Sequence, residues 1–272
     1  MKKIIRADIY RTVRGKALYI TLAVLIAIIL LQIGVSAAMN AAINNSAAEI
    51  NFENFEGMEI ADIFQEYTGR DAPNLAMKES GNIVYFILPL IIVIATSDFS
   101  CGAAKNTLAG GVSRKKYYCS KLFLTCVTSA LLFLAYILLS MLFAIVFYGF
   151  QGAFDGEFLW NVFKVFLPQL LFCIAAACVG NFFVFLLRRR GAFIGIYLAF
   201  FLVPPILIGM LTVIDEWFSN LMDYVISFNF LYIAQIDTLG TNEIIRALAV
   251  GAGYIVLSVF GGYFVFKKGE IR

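Results

Sequence analysis

The chain reads as an all-α integral membrane protein with six transmembrane helices and both termini in the cytoplasm. Three observations carry this reading. First, 61% of the 272 residues are apolar and 14% are charged, where soluble domains run at roughly 45–50% and 25%. Second, six stretches free of Asp, Glu, Lys and Arg are long enough to cross the hydrocarbon core, which takes about 20 residues. Third, the segments between those stretches alternate in charge sign. The mean hydropathy is +0.86. A soluble enzyme, a disordered chain and a disulfide-stapled secreted domain are excluded. The chain has no His, so His-based metal sites, triads and proton relays are excluded too. A β-barrel is excluded because the runs are apolar throughout and do not alternate.

The spans are predicted at about 17–38, 80–97, 122–149, 165–187, 191–214 and 247–266, in a single domain. Residues 1–16 hold six basic and one acidic residue, and 98–121 hold five and one. Residues 188–190 are Arg-Arg-Arg, and 267–272 hold three basic and one acidic. By contrast 49–79 hold two basic and eight acidic residues, 155–164 one and two, and 215–246 one and five. Basic flanks remain in the cytoplasm. This puts 1–16, 98–121, 188–190 and the C-terminus inside, and 39–79 and 215–246 outside. With the charge placed this way, no nucleic-acid partner is expected and membrane lipid is.

Residues 1–16 carry Ile5, Ile9 and Val13 on one helical stripe, with Lys3, Arg6, Arg11 and Arg14 mostly off it. This predicts an amphipathic helix lying in the inner interface, against a plain basic flank without fixed structure. A signal peptide ending near Ser36-Ala37-Ala38 is disfavoured, because the apolar run exceeds a typical h-region. The outer loop 39–79 bears Glu49, Glu53, Glu56, Glu59, Asp62 and Glu66 at spacings of three and four. A solvated acidic face is the expected reading, ahead of a cation site.

The segment 98–121 is the most informative. Asp98–Ala109 is predicted as a helix of about three turns with Asp98 at its N-terminus, where the helix dipole favours a carboxylate. Gly110-Gly111 stops it. Ser113 then caps a new helix running from Arg114 to about Tyr148, so the third span starts inside the cytoplasm. A short helix, a Gly turn and a basic, aromatic helix start make a rigid knob suited to receiving force from a soluble partner. The competing reading is a basic loop that binds lipid headgroups.

All five cysteines (Cys101, Cys119, Cys126, Cys173, Cys178) fall in spans or on the inner side, so reduced thiols are expected. The uncharged spans offer no carboxylate to a coupling ion. There is no G-x-x-x-x-G-K-[ST], so the chain cannot cradle a nucleotide phosphate itself. No catalytic signature and no metal-ligand set appears. Energy for uphill transport would have to come from a partner.

In the fifth span Pro204 and Pro205 remove two backbone donors and disfavour helix before them. The following segment, 215–246, is rich in aromatic residues, including Trp217, Phe218 and Tyr224. It reads as a short helix or hairpin re-entering from outside as an outer gate, or as an aromatic belt anchoring a surface helix. Gly191 and Gly195 form a G-x-x-x-G pair, and Gly180 a looser small-residue pair with Ala176. All are candidates for close helix packing or dimerisation.

The pattern Asp98, Gly102, Lys105, Leu108, then Ser113-Arg114, Tyr117 and Lys121 resembles the first cytoplasmic loop of ABC-2 type transporter permeases. It also looks like the branch found in Gram-positive peptide export and immunity. The resemblance covers about 25 residues closely and the remainder only in layout. It implies that the loop docks on a separate ABC ATPase through Asp98, Gly102, Lys105, Leu108, Ser113 and Arg114. It also implies a second permease chain, re-entrant helices between spans five and six, and a bacterial cell membrane. ATP and Mg would reside on the partner, with no cofactor and no enzymatic site on this chain. The sequence departs from the pattern in having Asp98 where Glu is common, and in its long acidic outer loop. The function expected is export of an amphipathic or hydrophobic substrate. The alternative is a membrane receptor or scaffold with a sensing outer loop and a cytoplasmic partner. A passive channel is disfavoured, since no ring of charge or filter segment is visible.

Overall fold

A computed structural model describes residues 2–47, 69–150, 152–153, 155–235 and 240–269. The acidic stripe at residues 49–66 lies outside the described residues. Among those described the chain is helical and has no strand. In order come α1 (Lys2–Arg14), α2 (Lys16–Ala47), α3 (Ala72–Lys78), α4 (Ile83–Ile91), α5 (Ser97–Ser100), α6 (Ala103–Ala109), α7 (Arg114–Tyr148), α8 (Gly156–Leu187), α9 (Arg190–Leu211), α10 (Ser219–Met222), α11 (Ile226–Ile233) and α12 (Thr241–Lys268). A π turn at Ile92–Thr96 joins α4 to α5. Six helical stretches are long and apolar enough to cross a membrane: Lys16–Val35, Ser80–Ser100, Arg114–Tyr148, Gly156–Leu187, Arg190–Leu211 and Thr241–Lys268.

Local chemistry sets the longest helix. Ser113 sits in extended backbone and its hydroxyl accepts from the Lys116 amide, capping α7. The helix runs without interruption to Tyr148 and stops at Gly149, where φ is +77°. Its 35 residues span about 52 Å at 1.5 Å per residue, well beyond the hydrocarbon core. These are the bounds expected from the sequence. α8 begins nine residues before the uncharged run, because Asp155 caps it by accepting from the Phe158 amide at 2.9 Å.

α8 is the central helix and packs against α7, α12, α4, α9 and α11. Small side chains at Cys173, Ala175, Ala176, Ala177, Cys178 and Gly180 let its neighbours approach. A Cβ added at Gly180 would collide with Ile91 and lie 3.0 Å from the Tyr197 ring. Polar side chains stitch the same surface. Gln169 donates to the Met77 and Phe230 carbonyls at 2.9 and 2.7 Å. Asn181 donates to the Thr125 hydroxyl and the Ala177 carbonyl, and the Tyr197 hydroxyl donates to the Val84 carbonyl at 2.8 Å. Inside a membrane such bonds replace those that water cannot supply. All five cysteines are free. Cys126 and Cys178 nevertheless bring their thiols to 3.7 Å across α7 and α8.

The two kinds of loop gather at opposite ends. At one end α1, the 98–121 segment, Arg188 and the end of α12 meet. At the other, the Gly69 amide donates to the Gly149 carbonyl, Arg70 pairs with Asp155, and Arg246 pairs with Asp223 at 2.7 Å. Among the described residues, the charge alternation read along the chain is thus a spatial separation into a basic and an acidic end. Substituting Gly180→Leu should lower stability by about 2 kcal/mol or more through overpacking. Gly191→Leu and Gly195→Leu should change the isolated chain little, since a Cβ at either meets nothing within 4 Å. Thermal unfolding of each variant in nanodiscs checks this.

Candidate functional site

At the basic end four charged groups from three parts of the chain converge. Asp8 and Arg11 come from α1, Asp98 from α5, and Lys121 from the second turn of α7. The Lys121 ammonium lies 2.7 Å from the Asp8 carboxylate and 2.5 Å from the Asp98 carboxylate. Arg11 reaches Asp98 and, at 3.1 Å, Asp8. The Tyr117 hydroxyl donates to Asp98 at 2.8 Å. The Lys121 side chain is 1% exposed and both carboxylates are 7% exposed, so these three charges depend on the cluster for solvation, while Arg11 is 36% exposed and closes it from the solvent side. Burial pushes the Asp8 carboxyl above its ordinary range; Lys121 and Arg11 pull it back without cancelling the effect.

The π turn completes the cluster. Here the Ser97 amide reaches back five residues to Ile92, which widens the helix and breaks its regular ladder. The Ile94 carbonyl accepts from both Arg11 at 3.0 Å and Lys121 at 2.9 Å. α1 therefore turns Asp8 and Thr12 into the protein and leaves Ile9 and Val13 about half exposed. Those two line an apolar groove of about 370 Å³ with Leu22, Leu124 and Leu131.

This geometry corrects the predicted helix from Asp98 to Ala109. Gly102 has φ +69° and separates α5 from α6. That left-handed conformation ends one helix and starts the next. Asp98 belongs to the last turn of the second span, and its partners are cations, not a helix N-terminus. Downstream the turn is as expected, with Gly110 closing α6 and Gly111 at φ +87°.

The six residues of the loop pattern separate into anchored and exposed groups. Asp98 is buried in the cluster. Leu108 is half-buried against an aromatic block of Tyr117, Tyr118, Phe185 and Phe266, with Phe185 and Phe266 ring centroids 4.8 Å apart. Arg114 donates to the carbonyls of Phe266, Lys267 and Gly269 at 3.1, 2.7 and 2.9 Å. It satisfies the open carbonyls of the α12 C-terminus, where a cation is favoured. Gly102, Lys105 and Ser113 are exposed. The loop thus has a fixed root, and α6 packs on the aromatic block through Ala104 and Leu108 while its other face, with Lys105, is exposed.

At the acidic end α9 continues through Pro204 and Pro205 to Leu211 instead of breaking before them. Proline costs a helix one bond, and the apolar setting keeps the remaining ladder intact. Trp217 and Tyr224 are exposed and Phe218 is half-buried; the buried members of the segment are Ile226, Asn229, Phe230 and Ile233 of α11. Gly191 and Gly195 are exposed on α9, whose buried face is Phe193, Tyr197 and Phe201.

The sequence pattern places Arg11 on the polar side of the N-terminal helix and Tyr117 and Lys121 at the start of the third span, but it gives none of them, nor Asp8, a partner. A signal existed: Asp8 is the one acid among six basic residues in 1–16, three positions before Arg11. Residues 77–272 match the family described as Protein of unknown function (DUF2705). The chain belongs to that family. No curated protein matches the chain. The matched stretch of this DUF2705 member includes Asp98, Tyr117 and Lys121 but stops short of Asp8 and Arg11 on α1.

Removing Lys121 would leave two carboxylates facing each other. Lys121→Met should cost about 3–5 kcal/mol, the range for breaking a buried pair from one side. Adding Asp8→Asn should recover part of that loss, because Asp98 keeps Arg11. Unfolding of the single and double variants in nanodiscs measures both. Wild-type stability for Lys121→Met would remove the cluster from its structural role.

Proposed function

We propose that this chain is the membrane permease subunit of an ATP-driven exporter of the ABC-2 type, oriented with the basic end in the cytoplasm. The observation that carries the reading is the fixed root and exposed outer face of the 98–121 loop. Asp98 is locked to α1 and α7, Arg114 is locked to the end of α12, and α6 lies between them with Lys105 exposed. A soluble ATPase pressing on α6 would load three helical elements at once, which supports a role in transmitting force. Coupling of this kind travels through packed, hydrogen-bonded networks.

In this reading two permease chains, identical or paralogous, form the pathway, and ATP and Mg stay on separate ATPase subunits. The exposed Gly191 and Gly195 on α9 suit a face between the two chains. α10 and α11, together with Pro204, Pro205, Trp217, Phe218 and Tyr224, form the outer gate as re-entrant elements. The uncharged spans suit an amphipathic or hydrophobic substrate, antimicrobial peptide export or immunity among the candidates. The location is the cell membrane of a bacterium.

The test is affinity purification of the solubilised chain from its host, followed by an ATPase assay. A P-loop subunit should co-purify with it. Gly102→Pro should uncouple ATP turnover from substrate while the protein still inserts, because proline cannot adopt φ near +69°. Lys105→Glu should weaken the partnership about tenfold with stability within about 0.5 kcal/mol of wild type, as for most surface changes. A chain that emerges with a kinase and no ATPase would favour the receptor reading.

A further inference from the structure

The apolar groove beside the charge cluster has a use that the exporter reading leaves open. α1 and α2 form one wall through Ile9, Val13 and Leu22, and α7 forms the other through Leu124, Leu131 and Ala135. The volume is about 370 Å³. The polar members of its lining are Thr12 and Thr128. Both spend their hydroxyls on their own helices, Thr12 on the Asp8 carbonyl and Thr128 on the Leu124 carbonyl, each at 2.8 Å. The lining therefore asks for no polar partner, and what fills it is hydrocarbon.

The length of the groove narrows the choice of hydrocarbon. Leu124 to Ala135 is uninterrupted helix, and its eleven steps rise about 16 Å. Half the thickness of a hydrocarbon core is about 15 Å. The groove is thus one leaflet deep.

Its mouth lies at the basic end. Lys121, one turn before Leu124, is held by Asp8 of α1 at 2.7 Å, which sets α1 across the start of the groove. Tyr10 and Tyr19 are exposed on either side of the Gly15 elbow between α1 and α2, and tyrosines favour the headgroup level. Arg14 directly follows Val13, and Lys16 precedes Leu18, another lining residue, by two positions. Both cations are exposed. Long basic side chains lay their stems on apolar surface and carry the charge to the interface. Among the described residues the acids of this end are Asp8 and Asp98, both buried in the cluster. No described carboxylate is left to pair with the elbow.

We propose that the groove holds one acyl chain of an anionic phospholipid from the leaflet at the basic end, with its phosphate at Arg14 and Lys16. A zwitterionic lipid offers the same chain, but its own ammonium cancels the charge that the elbow attracts. The inference rests on the groove and the elbow alone; failure to find an ATPase partner leaves it standing.

The test uses the full chain in detergent, titrated with dioleoyl phosphatidylglycerol or dioleoyl phosphatidylcholine, with retained lipid counted by native mass spectrometry. Phosphatidylglycerol should saturate at one lipid per chain and bind about tenfold more tightly than phosphatidylcholine, a difference that two basic side chains near an anionic headgroup support. Arg14→Gln combined with Lys16→Gln should unfold near the wild-type temperature, since both residues are exposed, and should lose the preference. Val127→Trp, which places an indole in the groove from its exposed α7 wall, should abolish the single-lipid stoichiometry. The proposal is overturned if phosphatidylglycerol is retained no better than phosphatidylcholine, if the double variant keeps the preference, or if a folded Val127→Trp chain still saturates at one lipid. A lipid-free dimer closed over this face would make a second copy the occupant and overturn it as well.

Discussion

Charges removed from water must solvate one another, and that constraint organises the basic end of this protein. Two carboxylates and two cations sum to zero, and each carboxylate touches both cations. In a low-dielectric setting neither sign is tolerable alone. The Ile94 carbonyl, which lies in the π turn, accepts from both cations. A local irregularity in the second span thus helps to hold the N-terminal helix and the third span together.

That lock gives the 98–121 loop its character. A loop between two spans is normally free to move at its base. Here its first residue is buried among cations, and the start of α7 is tied by Arg114 to the end of the last helix. The aromatic block of Tyr117, Tyr118, Phe185 and Phe266 fills the space behind. α6 rests on this block through Ala104 and Leu108, and its outer face, with Lys105 and Asn106, is exposed together with the flanking glycines. The acidic end is built differently, from short helices and a proline-containing span, with separate pairs such as Arg246–Asp223 and polar contacts such as Gln169 to Met77 and Phe230 in place of one buried charge cluster.

The legible parts of the fold were those governed by near neighbours. Ser113 as a cap and Gly110-Gly111 as a stop are local backbone chemistry, and both bounds of α7 follow from them. The misread parts share a different cause. Asp98 looks like a helix N-terminal residue when only its next eleven residues are considered, but Gly102 interrupts the helix and the real partners lie elsewhere. Arg114 reads as part of a basic, aromatic helix start, yet it is consumed in capping another helix. Gly180 and Gly191 look equivalent as small residues in a span. One meets Ile91 and Tyr197 and the other meets nothing, which depends on which face of each helix turns inward.

By itself the sequence determined the number of helices able to span a membrane, the segregation of basic from acidic ends, and the caps and stops of the longest helix. Each of these depends on composition or on residues within a few positions of one another. Only the tertiary structure decided which charges neutralise which. Lys121 meets Asp8 across 113 positions of sequence, and Arg114 meets the Gly269 carbonyl across 155. Hydropathy and periodicity place a residue on a helix, but they carry no information about which helix lies against it. The charge cluster of the basic end lies in those distant pairings.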